Sequence, residues 1–287
     1  MSDIIRLLRP AQYLKNLFVF LPLFFAGRLT DPYPAGRAIV AFFVFCSIAS
    51  SVYIFNDLCD VTADRLHPTK KNRPIPAGRV SRSAAVTCAV LLQLAGLLAS
   101  FLFERSILYL CVIYTLMNAA YTVRLKHIPV LDIFVIACGF VIRIYAGGTA
   151  AGVPISSWII LMTFLLALFI ALGKRRNDVL IFNGAEVRTR KAIDGYNISF
   201  IDSSMMAMAA VTIVCYIMYT KSPDVMEKFH TDKLYLTSFF VILGMLRYMQ
   251  VALVGDGAGS PTDVLLKDRF IQCILVAWLV AFGVIIY

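Results

Sequence analysis

Apolar residues in this chain come in long stretches that recur from one end to the other, separated by short clusters of Pro, Gly, Asp and basic residues. A bilayer core about 30 Å thick takes roughly 20 apolar residues per helix. Nine stretches approach that length, at approximately 14–30, 36–57, 83–103, 105–121, 129–150, 156–173, 202–220, 233–254 and 270–287. The pattern predicts an all-α, polytopic membrane protein of nine transmembrane helices. No long hydrophilic stretch could fold as a separate soluble domain, so residues 1–287 read as one integral membrane domain.

Composition points to the same solvent. Of the 287 residues, 60% are hydrophobic and only 15% charged, with a mean hydropathy of +0.80, more apolar surface than a soluble domain of this size buries. The seven cysteines are scattered singly, with no metal-ligand spacing, and read as packing thiols. The 21 Phe and 13 Tyr fit lipid-facing surface and interfacial belts, and no nucleotide-binding glycine signature occurs. The N-terminus lacks the pattern of a cleaved leader, so the first stretch is expected to stay.

A net charge of +10 would suggest nucleic acid in a soluble protein, but here membrane topology accounts for it, and no nucleic-acid partner is expected. With the N-terminus cytoplasmic, nineteen Lys and Arg fall in inside segments and six in outside segments, while Arg143 and Arg247 lie within spans. The expected arrangement is a multi-pass protein of the plasma (inner) membrane, N-terminus inside, C-terminus outside. The larger charged loops then share the cytoplasmic face, where the chemistry is expected.

The second stretch ends in SSVYIFNDLCDVTADRLHPTKKNRPIPAG. Asn56, Asp57, Asp60 and Asp64 stand at spacings of three, four and seven, which puts the acids on one helix face. Carboxylates crowded at the rim of a hydrocarbon core repel one another and are costly to desolvate, so a divalent cation is expected among them. Hard carboxylate and amide oxygens suit Mg²⁺, which is commonly shared between protein carboxylates and substrate phosphates. Arg65, His67, Lys70, Lys71 and Arg73 follow at once and supply cationic donors for a polyanion. A solvated, positive-inside loop is the plainer reading of the same run.

The pattern NDxxDxxxDR at 56–65 resembles the first aspartate-rich motif of the UbiA prenyltransferase superfamily, whose members use it to bind Mg²⁺ and a prenyl diphosphate. The resemblance implies a UbiA-like helical bundle. Most members carry a second such motif after the sixth span. Here that place reads LGKRRNDVLIF: Asn177 and Asp178 match, but Ile181 stands where another Asp is expected, and Lys174, Arg175 and Arg176 favour an anion.

This departure is similar to one branch of the superfamily, the decaprenyl-phosphate 5-phosphoribosyltransferases. Matching segments include RPAQYLKN at 9–16, DRLHPTKKNRPI at 64–75, LKH at 125–127, IRIYAGG at 142–148, GKRR at 173–176 and LLKDR at 265–269. What the resemblance implies is transfer of a 5-phosphoribosyl group from phosphoribosyl diphosphate to a polyprenyl phosphate. In that reading Mg²⁺ is held by Asn56, Asp57, Asp60 and Asp64. Lys15, Lys70, Arg73, Lys126, Lys174 and Arg175 are candidate phosphate clamps. Asn16, Tyr53, Arg65, His67 and Tyr121 are expected to face substrate, Tyr121 and Lys126 through the superfamily pattern YxxxLK.

Asp132 and Arg143 lie within the fifth stretch, and ionisable residues there are functional or paired. Their eleven-residue spacing, about 16 Å on a straight helix, argues against pairing with each other, and Arg143 is carried as a substrate-binding candidate. Arg247 could snorkel. For Asp263, Asp268 and Arg269 a solvated charge pair and a site role both stand, and His127 and His230 read as loop residues. Two alternatives remain at this stage. An aromatic-acceptor prenyltransferase of the same superfamily is disfavoured by Ile181, and an ion-coupled transporter by acids at a span end rather than at the midplane.

Overall fold

The computed structural model describes residues 3–66, 69–184, 194–254 and 261–286. Among these there is no strand. The helices in chain order are α1 (Asp3–Leu8), α2 (Leu21–Phe25), α3 (Pro32–Cys59), α4 (Val61–Leu66), α5 (Arg82–Phe103), α6 (Arg105–Val123), α7 (Leu131–Ala151), α8 (Ser157–Gly184), α9 (Ile198–Lys221), α10 (Pro223–Phe229), α11 (Ser238–Leu253), α12 (Pro261–Lys267) and α13 (Arg269–Ile286). Short 3-10 helices cover Pro10–Phe20, Lys70–Asn72, Leu125–His127 and Lys233–Thr237.

Eight of the nine expected stretches contain a helix long and apolar enough to cross a membrane. The first differs: 14–30 falls on the 3-10 helix Pro10–Phe20 followed by the five residues of α2. Pro10 and Pro22 lack the amide donor of a regular helix, which favours short, separately started segments there. The sixth also differs. α8 runs eleven residues beyond the expected end at 173, so Lys174, Arg175 and Arg176 stand on a helix rather than in a loop. Lys and Arg are good helix formers, and Arg175 pairs with Asp178 one turn on.

By contacts the described residues gather into two compact units, one of residues up to Ile155 and one of residues from Ser156 onward. In the first, 61% of the apolar window of α3 and of α7 is buried against 17% for α5, so α3 and α7 are its inner helices. Phe45 and Ile48 of α3 pack with Ile107, Cys111 and Tyr114 of α6, Ala146 and Ala150 of α7, and Val19. Ser47 and Ser51 of α3 donate to the Leu92 and Ala89 carbonyls of α5, which satisfies buried hydroxyls while locking the two helices together. The outer face of α5 carries Leu91, Leu94, Leu98 and Leu102, each at least 59% exposed, a stripe that only lipid solvates well.

The N-terminal 3-10 helix lies against α7, and Gly147 permits this: a Cβ there would collide with the Val19 carbonyl. The close approach carries Lys15 and Asn16 to the flank of α7. In the second unit α8 packs along α9, and Arg176 ties both to α11, donating to Asp202 at 2.8 Å and to the Ala252 carbonyl at 2.7 Å.

Candidate functional site

The site grows from the break between α3 and α4. α3 ends at Cys59 and α4 begins at Val61, yet the Asp60 amide still bonds to the Asn56 carbonyl and the Asp64 amide to the Asp60 carbonyl, at 3.0 and 2.8 Å. The helical path is thus continued across the break, and the acid spacing read from the sequence keeps its sense. Asp57 and Asp64 are buried, at 2% and 4% exposure.

Each acid meets a cation. Arg73 places Nη1 2.9 Å from Asp57 Oδ1 and 2.6 Å from Asp64 Oδ2, so one nitrogen bridges two carboxylates. Arg9 also bonds Asp57 Oδ1 through Nη2 and stacks over the Tyr53 ring. Lys126, buried in the turn after α6, reaches Asp60 Oδ1 at 2.5 Å. The Thr122 hydroxyl donates to Asn56 Oδ1 at 3.3 Å. Asn56, Asp57, Asp60, Asp64, Arg73 and Lys126, all inferred from sequence, therefore stand in one connected cluster, with Tyr53 at its edge.

Among the described residues no three His, Cys, Asp or Glu side chains converge as a closed metal centre. The donor set still suits a shared ion. The Arg73 nitrogen marks a cation position between Asp57 and Asp64, and an ion held by one or two carboxylates needs its other ligands from water or a phosphate. Beside it opens a cleft of about 350 Å³ lined by Arg6, Arg9, Pro10, Ala11, Gln12 and Arg73. Three arginines along a cleft whose neighbours are carboxylates can hold a polyanion together with a cation.

Arg9 and Arg6 were not singled out by sequence. An arginine before the first apolar stretch reads as a topology signal, and only the left-handed backbone at Arg9 (φ 56°, ψ 57°) turns the chain so that its guanidinium meets an acid 48 residues away. The motif RPAQYLKN held the signal without its meaning.

The other candidates are placed as follows. Arg143, 3% exposed, donates to Asn16 Oδ1 at 2.8 Å, to the Gly139 carbonyl at 2.8 Å and to the Tyr114 hydroxyl at 2.9 Å. Lys15 is half-buried in the electrostatic field of Arg143 and Arg9. Arg65 is exposed and donates to the Pro76 carbonyl at 3.3 Å. Lys70 is half-buried on its 3-10 turn, and Tyr121 half-buried one residue before Thr122. His67 and the side chain of Asp263 lie outside the described residues. In the second unit Lys174 is exposed and Arg175 buried, with Arg175 Nη1 2.6 Å from Asp178.

Arg247 pairs with Asp268 at 2.7 Å, and Asp268 also accepts from the Ile271 amide, capping α13. Hydrogen bonds from Arg247 and Ile271 hold the Asp268 carboxyl below its usual range. A lowered pKa means that the pair's contribution is present at neutral pH and is lost only as pH falls through that lowered value.

Residues 16–181 match the UbiA prenyltransferase family. A decaprenyl-phosphate phosphoribosyltransferase of Mycolicibacterium smegmatis is 36% identical, the match covering 100% of this chain and 93% of that protein. One of Corynebacterium glutamicum is 33% identical over 100% of this chain and 87% of its own. A UbiA homologue from Archaeoglobus fulgidus, solved bound to GPP and Mg²⁺, superposes with a TM-score of 0.72 at 19% identity, covering 98% of this chain and 99% of that one. With a family match over more than half its length and full-length relatives above 30% identity, this chain belongs to the UbiA prenyltransferase family.

Proposed function

We propose that the protein is a Mg²⁺-dependent polyprenyl-phosphate phosphoribosyltransferase, which moves a 5-phosphoribosyl group from phosphoribosyl diphosphate to the phosphate of a polyprenyl lipid and releases diphosphate. The observation that carries this reading is the pair of carboxylates, Asp57 and Asp64, joined by one Arg73 nitrogen beside a cleft lined by Arg6, Arg9 and Arg73. The names of the full-length relatives support the two substrates.

The chemistry asks little of the protein beyond charge and position. The bond from the sugar's anomeric carbon to the diphosphate oxygen breaks with its electron pair leaving on the diphosphate, and a lipid phosphate oxygen forms the new bond. That oxygen is already anionic, so no general base is needed. Asp57 and Asp64, with Asn56 and Asp60, are the residues that would hold Mg²⁺, whose role is to neutralise the charge gathering on the leaving group. Arg9 and Arg73 use only part of their five N–H donors on carboxylates and have the rest for phosphate oxygens. Lys126 fixes the Asp60 carboxylate from the α6 side.

The test is purified full-length protein with labelled phosphoribosyl diphosphate, a polyprenyl phosphate and Mg²⁺. A labelled lipid should form, and a chelator in excess of the metal should stop it. No lipid-linked ribose phosphate, with prenylation of an aromatic acid by a prenyl diphosphate instead, would assign the chain to the aromatic-acceptor reading.

A further inference from the structure

The cleft beside the acids has two walls that are far apart in sequence. Arg6, Arg9, Pro10, Ala11 and Gln12 come from the N-terminal segment, and Arg73 from the turn after α4. Guanidiniums gathered around one cleft repel each other, so the walls need ties. Buried Asp57 is one, pairing with both Arg9 and Arg73. An apolar cluster is another: buried Leu7 of α1 and Ile75 pack with Ile54 and Val61, and Val80 lies against them. Nearer the surface a second acid joins the walls. Arg79 donates from Nε to Asp3 Oδ1 at 2.9 Å and from Nη2 to the Asn72 carbonyl at 2.6 Å.

Asp3 opens α1, which leads into Arg6 and Arg9, and Asn72 immediately precedes Arg73. The turn that carries Arg73 and Arg79 is closed on itself. The Ala77 amide bonds to the Arg73 carbonyl at 3.0 Å, and the Arg79 and Val80 amides bond to the Pro74 carbonyl at 3.0 and 3.2 Å. Gly78 permits the reversal with a left-handed backbone, φ 73°. Arg79 is therefore fixed relative to Arg73, and its reach to Asp3, 76 residues away, links that turn to α1. A guanidinium can make both bonds at once because its N–H groups diverge in a fixed fork. Arg79 itself does not line the cleft. Its pair with Asp3 is partly exposed, at 38% and 35%, so it adds little to global stability, and its consequence lies in where the walls stand.

We propose that Arg79 is a positioning residue that clasps the two walls of the arginine cleft, through Asp3 on one side and the Asn72 carbonyl on the other, and so sets the spacing at which Arg6, Arg9 and Arg73 meet a diphosphate. The proposal rests on the transferase reading for its ligand. Asp57, the buried tie, is also a residue that would hold Mg²⁺, and a carboxylate engaged by a metal has less charge to spare for two arginines. Asp3 has no such duty. The outer clasp therefore keeps the walls in register when the site is filled.

Calorimetric titration of the full chain in detergent with inorganic diphosphate and Mg²⁺ tests the clasp through the sign of one change. Asp3→Asn removes a negative charge near a cleft that binds an anion, so charge alone would tighten diphosphate binding. The clasp demands the opposite. Asp3→Asn should weaken binding about two- to fivefold and Arg79→Gln about three- to tenfold, and the double variant should bind no more weakly than Arg79→Gln alone. Tighter or unchanged binding in Asp3→Asn, or additive losses in the double variant, would overturn the proposal. Asp3→Asn, a near-isosteric change at a partly exposed position, decides alone if Arg79→Gln does not fold. Spin labels at exposed Ile4 and Ala77, in a cysteine-free background, read the walls directly. Their separation should lengthen or spread in Arg79→Gln, and an unchanged distribution counts against the clasp. If no lipid product forms in the transfer assay while these results hold, the transferase reading fails and the clasp stands. Transfer that proceeds while diphosphate binding ignores both substitutions would keep that reading and remove the clasp.

Discussion

At the scale of single residues the cluster works by matching charges across long sequence separations. Asp57 takes Arg9 from one side and Arg73 from the other, and Asp60 takes Lys126, so the acids face cations before any ligand arrives. Buried ion pairs of this kind are weak sources of stability, since desolvation opposes the Coulomb gain, and a binding role accounts for them better. Asp57→Asn and Asp60→Asn keep the size and a hydrogen-bonding oxygen but remove a charge. Each should lower transfer by at least about 100-fold while the protein stays monodisperse in detergent. Full activity in the labelled-lipid assay for either variant would remove the metal role.

At the scale of elements, what matters is how closely backbones approach. The 3-10 helix Pro10–Phe20 reaches its place because Gly147 leaves room for the Val19 carbonyl, and Asn16 then meets Arg143 from across that contact. Gly147→Ala puts a methyl group onto backbone, which cannot rotate aside. The variant should lose about 1–3 kcal/mol of stability and weaken the Asn16–Arg143 contact. Thermal unfolding of the purified protein in detergent reads the loss of stability. An unchanged melting point would show that the 3-10 helix is not seated by this glycine.

At the scale of the whole molecule the charge asymmetry makes a topological claim. Nineteen of the 27 Lys and Arg fall in segments assigned to the inside and six in those assigned outside. In a cysteine-free background, a membrane-impermeant thiol reagent applied to intact cells should label a cysteine at Lys228 and not one at Lys71. The reverse pattern would invert the orientation and move the site to the other face.

Much of this was legible in the chain itself. The all-α membrane class follows from apolar stretches that no soluble core could absorb, and Asn56, Asp57, Asp60 and Asp64 were found because helical spacing is a local property that survives the break at Asp60. Lys126 and Arg73 were found because motifs place them near the acids. Pairing at a distance was not legible. That Arg9 meets Asp57, that one Arg73 nitrogen joins two acids, and that Arg143 rests on neutral partners depend on how helices far apart in sequence pack. A sequence records which charges are present, and only the tertiary structure decides which of them face one another.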